Sequence, residues 1–233
     1  ISMIDLSTPD FKVVDRMLAK PLSGYKRFQC VTPSWDNTPR RNSNSLFFTE
    51  ASPAHYERWL TCACSKLGAT KAEERLVFIN AWNEWGEGNH LEPDEKFGHG
   101  YLEATRSSIE TAKQNLRKEA IVFHERIRSE ILPEGKLQNT LDRLMELVVF
   151  HPDYAPAYLD LGALFKQAGD TRNALAAYEK ACALEPLNAS CLRCLADFYF
   201  VELKRNEDAE ALYEKIVSLS PEDEEALLML GNL

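Results

Sequence analysis

The second half of the chain repeats itself. Tyr158-x-x-Leu161-Gly162 recurs 34 residues later as Leu192-x-x-Leu195-Ala196, and again, after one extra residue, as Leu227-x-x-Leu230-Gly231. A period of this length corresponds to one helical hairpin per repeat. Hairpins that cannot bury their apolar faces alone must stack on their neighbours. Phe165, Gly169, Ala174, Tyr178, Ala181 and Pro186 fall on the remaining pattern positions of the first unit, and Tyr199, Ala209, Tyr213 and Pro221 on those of the second. Packing dictates these residue types. Gly162, Ala174 and Ala181 let paired helices approach, aromatics fill the space between them, and proline ends the second helix. Residues 137–150, followed by Pro152, read as the second helix of a capping unit. The third unit stops mid-repeat, which would leave an apolar face uncovered, so the natural chain is expected to continue.

The first hundred residues have a different grammar. Short apolar runs alternate with Pro, Gly and Asn clusters, and the change falls near Gly98-His99-Gly100. Residues 10–19 read as a helix with Val13, Val14, Met17 and Leu18 on one face. Residues 28–31 read as a short strand ended by Thr32-Pro33, and residues 46–48 as another. Ser52-Pro53 suits the start of a helix running to Leu67, with Gly68 at its end. Residues 76–81, Leu-Val-Phe-Ile-Asn-Ala, form the clearest strand, expected to be buried on both faces. Residues 101–118 read as a helix. Strands alternating with helices imply a parallel α/β architecture.

Directly after the clearest strand comes Asn80-Ala81-Trp82-Asn83-Glu84-Trp85-Gly86-Glu87-Gly88. Barrel enzymes place their catalytic groups at the C-terminal ends of strands. Glycoside chemistry usually needs one protonated and one ionised carboxyl beside the scissile bond. Tryptophans offer flat faces to sugar rings, and glycines let a loop bring both carboxyls to one place. The alternative is an acidic surface turn with a core tryptophan.

Three stretches carry a family likeness: VTPSWDNTPRR at 31–41, FINAWNEWGEGNHLEPD at 78–94 and FGHGYLEATR at 97–106. Over roughly residues 10–118 the sequence resembles the WbsX-type, glycoside hydrolase family 99-like domain. The period and signature of the second half resemble tetratricopeptide (TPR) repeats. The first resemblance implies the C-terminal part of a (β/α)8 TIM-like barrel at residues 1–118, with the earlier strands missing. The second implies an all-α solenoid at 119–233: capping helices 119–154, repeats 155–188 and 189–223, and the start of a third at 224–233. The fold expected is therefore α/β plus all-α.

Glycan chemistry is what the first resemblance implies, either endo-α-mannosidase-like hydrolysis or sugar transfer in polysaccharide and O-antigen biosynthesis. In family 99 hydrolases the position of Glu84 holds the base that activates the substrate's own 2-hydroxyl. The position of Glu87 holds the general acid that protonates the leaving oxygen and then activates water. No cofactor or metal is implied. Those hydrolases commonly carry His where Gly86 stands here, which places the chain nearer the WbsX branch.

Several neighbours qualify as substrate-binding. Trp35, Asp36, Asn37, Arg40 and Arg41 follow a strand and could reach the same barrel mouth. Either arginine could bind a sugar hydroxyl, a carboxylate or a nucleotide-sugar phosphate, or could pair with Asp36 and hold the loop. Trp82 and Trp85 offer stacking faces. Asn83 could bind a hydroxyl or orient Glu84. His90 and Glu92 share the loop and serve either its structure or the sugar.

Other function classes weaken. With a formal net charge of -9, no basic stripe for nucleic acid stands out. No apolar run reaches bilayer length, and the opening Ile-Ser-Met-Ile-Asp reads as the interior of a longer chain. Six cysteines form no dense framework, so reduced thiols in a cytoplasmic protein are expected. Cys191-x-x-Cys194 is half a zinc site without a partner pair, and it falls on a repeat helix. Cys62 and Cys64 point to opposite sides of theirs. The solenoid offers a third reading, a non-catalytic scaffold that binds a protein or peptide in its groove. The groove-facing residues expected there, Asp160, Lys166, Arg193 and Asp197, are mixed in charge. Carboxylates enclosed in a pocket with Trp82 or Trp85 would favour the enzyme, and carboxylates in bulk water a vestigial or incomplete barrel.

Overall fold

The computed structural model describes residues 2–5, 28–41, 45–68, 70–131 and 137–232. The helix expected at residues 10–19 lies outside them. The chain divides into two compact units, Ile1–Leu116 and Arg117–Leu233.

In the first unit, strands β1 (Ser2–Asp5) and β3 (Leu46–Thr49) form one parallel pair, with Ser2 opposite Leu46. Strands β2 (Gln29–Val31) and β4 (Val77–Ile79) form another, with Gln29 opposite Val77. Parallel neighbours need a crossover, and helix α1 (Pro53–Ser65) lies in the connection from β3 to β4. Its start follows the local chemistry. Ser52 Oγ accepts from the His55 amide at 3.4 Å, and Pro53 occupies the first turn, where its missing N–H costs nothing. Past its other end, Arg75 Nε donates to the Leu67 and Thr70 carbonyls at 3.1 and 3.0 Å, and Nη2 to that of Gly68 at 3.3 Å. Tyr56, Trp59, Leu60 and Ala63 recur at helical spacing and bury one stripe against Val31, Leu91, Tyr101 and Ala104.

Strand β4 is shorter and more exposed than its apolar run suggests. Val77 and Ile79 pack towards the α1 core, but Phe78 points the other way, is 56 % exposed, and meets the Phe28 ring edge-on with ring centres 6.0 Å apart. An apolar run reports what a strand can bury, and β4 is covered on one face. The described strands likewise form two-stranded sheets and no closed barrel, so the barrel expected from the resemblance is not seen. Helix α2 begins at Gly100 and runs to Arg126 rather than ending near residue 118, and the division between units falls within it. No glycine or proline interrupts it, and its polar turns are rich in Glu, Lys, Arg and Ala. Tyr56 Oη and Thr105 Oγ1 (3.0 Å) and Thr61 and Ser108 (2.9 Å) tie α1 to its first half.

The second unit is helical: α3 (Leu137–Phe150), then antiparallel pairs α4 (Ala155–Gln167) with α5 (Thr171–Leu184) and α6 (Ala189–Asp197) with α7 (Asn206–Leu219), then α8 (Glu224–Asn232). Asp170 caps α5 through the Asn173 amide (3.1 Å), and Asn188 caps α6 through the Ser190 amide (2.9 Å). Gly162 lies against the Tyr178 ring. A Cβ there would sit 2.6 Å from Cε1. The Tyr178 ring meets Phe198 at 5.3 Å, inside a core with Leu192, Leu195, Ala209, Tyr213 and Ile216.

The extra residue of the second repeat is visible. Helix α6 continues as a π-helix over Phe198–Leu203, after which Lys204 is left-handed at φ 55°, where Gly169 stands in the first repeat at φ 77°. Tyr199 is 34 residues from Phe165, whereas Lys204 is 35 from Gly169, so the surplus residue lies within the π turn.

Candidate functional site

The loop after β4 folds back on itself. The Trp82 carbonyl accepts the Leu91 and Glu92 amides at 2.8 and 3.2 Å, and β5 (Asn83–Glu84) pairs antiparallel with β6 (Asn89–His90), Glu84 opposite Asn89. A 3-10 turn, Trp85–Glu87, joins them and ends in Gly88 at φ 59°, a conformation that favours glycine. Glu84 and Glu87 are thus borne by one small hairpin. Their side chains are 45 % and 21 % exposed, so Glu84 is about half open to solvent and Glu87 is mostly covered.

The loop after β2 meets this hairpin. The Asp36 amide donates to the Glu87 carbonyl at 2.7 Å. Its carboxylate turns inward to its own loop and accepts from the Thr38 amide (2.9 Å) and hydroxyl (2.7 Å). Asn37 is buried, and its Oδ1 accepts the Leu46 amide at 2.8 Å, pinning the loop to β3. Arg40 therefore does not pair with Asp36. Its Nη2 lies 3.8 Å from Glu84 Oε1 and its Nη1 lies 3.9 Å from Glu87 Oε1. The guanidinium occupies the space beside Gly86, where a Cβ would fall 2.0 Å from Nη2 and 2.7 Å from Cζ.

The aromatic residues divide. Trp82 and Trp85 are 51 % and 49 % exposed. Trp85 stacks on His90 with ring centres 3.7 Å apart, and its indole N–H donates to Glu92 Oε2 at 2.6 Å. Trp35 turns its indole nitrogen inward, buried and without a hydrogen-bond partner. His90 Nε2 meets Asp94 Oδ2 at 2.9 Å, and its Nδ1 is buried without a partner. Burial pushes the Asp94 carboxyl up, but hydrogen bonds from the Phe97 amide and His90 outweigh it and hold it below its ordinary value. His90, Glu92 and Asp94 thus brace the Trp85 side of the hairpin. Arg41 and Asn83 are exposed. Two residues escaped sequence reasoning. Asp94 closes the stretch 78–94, but no role there follows from the sequence, and Asn89 is fully buried with both side-chain amide atoms unpartnered, a state that sequence does not reveal.

In the second unit, His124 Nε2 donates to Asp160 Oδ2 at 2.8 Å, and Arg128 grips both oxygens of the same carboxylate at 2.7 Å. Burial alone would raise the Asp160 carboxyl. These partners overcome it and bring its pKa to about 2. A cavity of about 390 Å³ is lined by Ile127, Arg128, Thr140, Leu144, Asp160, Ala163 and Leu164. Arg193 pairs with Asp223 at 2.6 Å, and Asp197 accepts the Tyr213 hydroxyl. Three of the four expected groove residues are therefore engaged within the array. Cys182 Sγ donates to the Cys191 carbonyl, and burial pushes the Cys182 thiol up to about 12. Among the described residues no group of three or more His, Cys, Asp or Glu side chains could hold a metal ion, and no helix is long and apolar enough to cross a membrane.

Comparison with known proteins follows the same division. A family model described as Glycosyltransferase WbsX matches residues 6–105, and one described as Tetratricopeptide repeat matches residues 155–186 and 195–223. A protein of Xanthomonas campestris pv. campestris named Uncharacterized protein WxcX is 42 % identical over 116 residues, covering 46 % of this chain and 17 % of that protein. Its counterpart in strain B100 is 42 % identical over 97 residues, covering 41 % and 14 %. The chain spans about one sixth of the length of these curated relatives. Among solved structures, the first TPR of Spaghetti (RPAP3) bound to an HSP90 peptide has a TM-score of 0.44 at 19 % identity, covering 50 % of this chain and 90 % of that one. MamA protein has 0.43 at 20 % identity, covering 57 % and 72 %. The chain joins a WbsX-type segment in its first unit to tetratricopeptide repeats in its second.

Proposed function

We propose that this chain contributes the Glu84–Glu87 part of a glycan-processing centre, with the helical array as an arm for a protein or peptide partner. The observation that carries the reading is the hairpin itself. Two carboxylates three positions apart lie within reach of one guanidinium, in a loop that also exposes two indole faces. Half-exposed rings beside groups able to bind hydroxyls suit a sugar, whose ring has apolar faces and polar edges. In this reading the segment is the C-terminal part of a (β/α)8 barrel, and the half-open setting of Glu84 fits a centre to which further residues contribute.

The chemistry is assigned from the resemblance. Glu84 takes the proton of the substrate's 2-hydroxyl, whose oxygen attacks the anomeric carbon. Glu87 gives its proton to the leaving oxygen, then draws one from the water that reopens the ring. Trp82, Trp85 and Asn83 line the sugar's approach, and the His90–Asp94 contact and the Glu92 carboxylate hold Trp85 in place.

Transfer from a nucleotide-sugar is the second reading. It is favoured by the description of the matching family and by Arg40, a cation able to meet a phosphate. Wild-type protein, Glu84→Gln and Glu87→Gln are incubated with an α-mannan panel, and separately with nucleotide-sugars plus acceptor. Cleavage by wild type that both variants lose by about 100-fold or more supports the hydrolase. Turnover only with a nucleotide-sugar supports the transferase. Turnover unchanged in both variants removes the site, leaving a scaffold that acts through its repeats.

A further inference from the structure

The Arg40 guanidinium and the bare backbone of Gly86 occupy one space. The two ion-pair distances are nearly equal, 3.8 Å to Glu84 and 3.9 Å to Glu87, so the cation sits between the carboxylates rather than on either. A Cβ at residue 86 would fall 2.0 Å from Arg40 Nη2, 2.7 Å from Cζ and 3.2 Å from Nε. Any side chain at 86 and a guanidinium in this position exclude one another. Gly86 does not have a left-handed φ, so the backbone does not call for glycine there. What does is the arginine, arriving from the other loop through the Thr38–Arg40 turn that Asp36 and Asn37 anchor.

We infer that Arg40 is the positioning residue of the carboxylate pair, and that Gly86 is free of a side chain in order to admit it. Two carboxylates borne three residues apart on one hairpin repel each other. A shared cation lets both face the same substrate. Arg40 acts through Glu84 and Glu87, and this role rests on the reading of those residues given above.

Gly86→Ala moves the guanidinium without removing it. The clash is with the far end of a flexible side chain, so folding is little disturbed. Arg40→Gln removes the charge, and Arg40→Lys keeps a cation. The carboxyl carbons of glutamate-labelled protein are followed by carbon NMR at neutral pH, and turnover is followed on whichever substrate class wild type accepts. Arg40→Gln is expected to move both the Glu84 and Glu87 resonances, and Gly86→Ala to do the same. Gly86→Ala added to Arg40→Gln is expected to move them little further, since it acts through a guanidinium no longer there. The kcat is expected to fall about 10- to 100-fold in Arg40→Gln and Gly86→Ala, with partial recovery in Arg40→Lys and a thermal midpoint within about 2 °C of wild type.

Resonances of Glu84 and Glu87 that ignore Arg40→Gln overturn the inference whether or not a substrate is found. So does a Gly86→Ala effect of equal size in both backgrounds. Loss of turnover in Glu84→Gln and Glu87→Gln with full turnover in Arg40→Gln overturns the positioning role and leaves the reading of the glutamates intact. Full turnover in the glutamate variants removes both.

Discussion

Replacing Gly162 by alanine tests the packing of the array, because two effects of opposite sign meet there. Gly162 lies inside α4, where helix propensity alone favours alanine by about 1 kcal/mol. The added methyl would stand 2.6 Å from Tyr178 Cε1, 2.7 Å from Cδ1 and 2.8 Å from Cζ. Carbon atoms pack comfortably at about 3.5–4.0 Å, so the ring or the helix must withdraw by close to 1 Å. The ring has no free path, being 5 % exposed and set against Phe198. Overpacking of this kind costs about 1–3 kcal/mol, which leaves a net loss near 1 kcal/mol once the propensity gain is subtracted. Gly231 in α8 supplies the control. A Cβ there meets nothing within 4 Å, so Gly231→Ala is expected to be neutral or stabilising by up to ~1 kcal/mol. Urea unfolding followed by far-UV circular dichroism compares the two. A Gly162→Ala midpoint above wild type would refute the idea that this glycine is a contact surface for the tyrosine.

Two further outcomes follow from the second unit. Asp160 titrates at about 2 when folded, below its ordinary value of 3.8, so its ion pairs add stability that is complete above pH ~4 and lost as pH falls towards ~2. In Asp160→Asn, acid unfolding monitored over that window should lose this component, about 1–2 kcal/mol, while the variant starts less stable at neutral pH. Lys204 adopts the left-handed conformation that Gly169 holds in the first repeat, so Lys204→Gly should raise stability by about 0.5–1 kcal/mol in urea unfolding.

The repeats were legible in the sequence because their packing admits few residue types. Gly162, Ala174 and Tyr178 are where they are because a ring must meet a bare backbone. The Ser52-Pro53 start of α1 was legible for a similar reason, since capping is local chemistry. What depends on distant neighbours was not. The apolar run at residues 76–81 gave a strand, but how many of its faces are covered is decided by other segments, and Phe78 is half bare. No stop signal stands near residue 118, where the sequence pattern places the end of helix α2, and the helix runs on to Arg126. The loop carrying Glu84 and Glu87 declared itself through its residue types, yet the partner of Arg40 did not. Sequence left Asp36 open as that partner. The Asp36-Asn37-Thr38 order already offers the carboxylate a local turn to satisfy, and the true contacts lie more than forty residues away. Asn89 lies inside the stretch that carries the family likeness, but nothing in the sequence shows that its amide is buried without a partner.

The π turn at Phe198–Leu203 bears on how such arrays change length. One residue added to an α-helix rotates everything after it by about 100°, enough to turn a buried face towards water. Here the addition is closed into a wider backbone loop and ends at Lys204, and the next helix starts as if nothing had been inserted. Ala209 and Tyr213 are buried just as Ala174 and Tyr178 are. The one-residue insertion confined to this turn is therefore silent downstream. The array keeps count by helical faces rather than by residues, and a repeat one residue longer than its neighbour stacks in the same way.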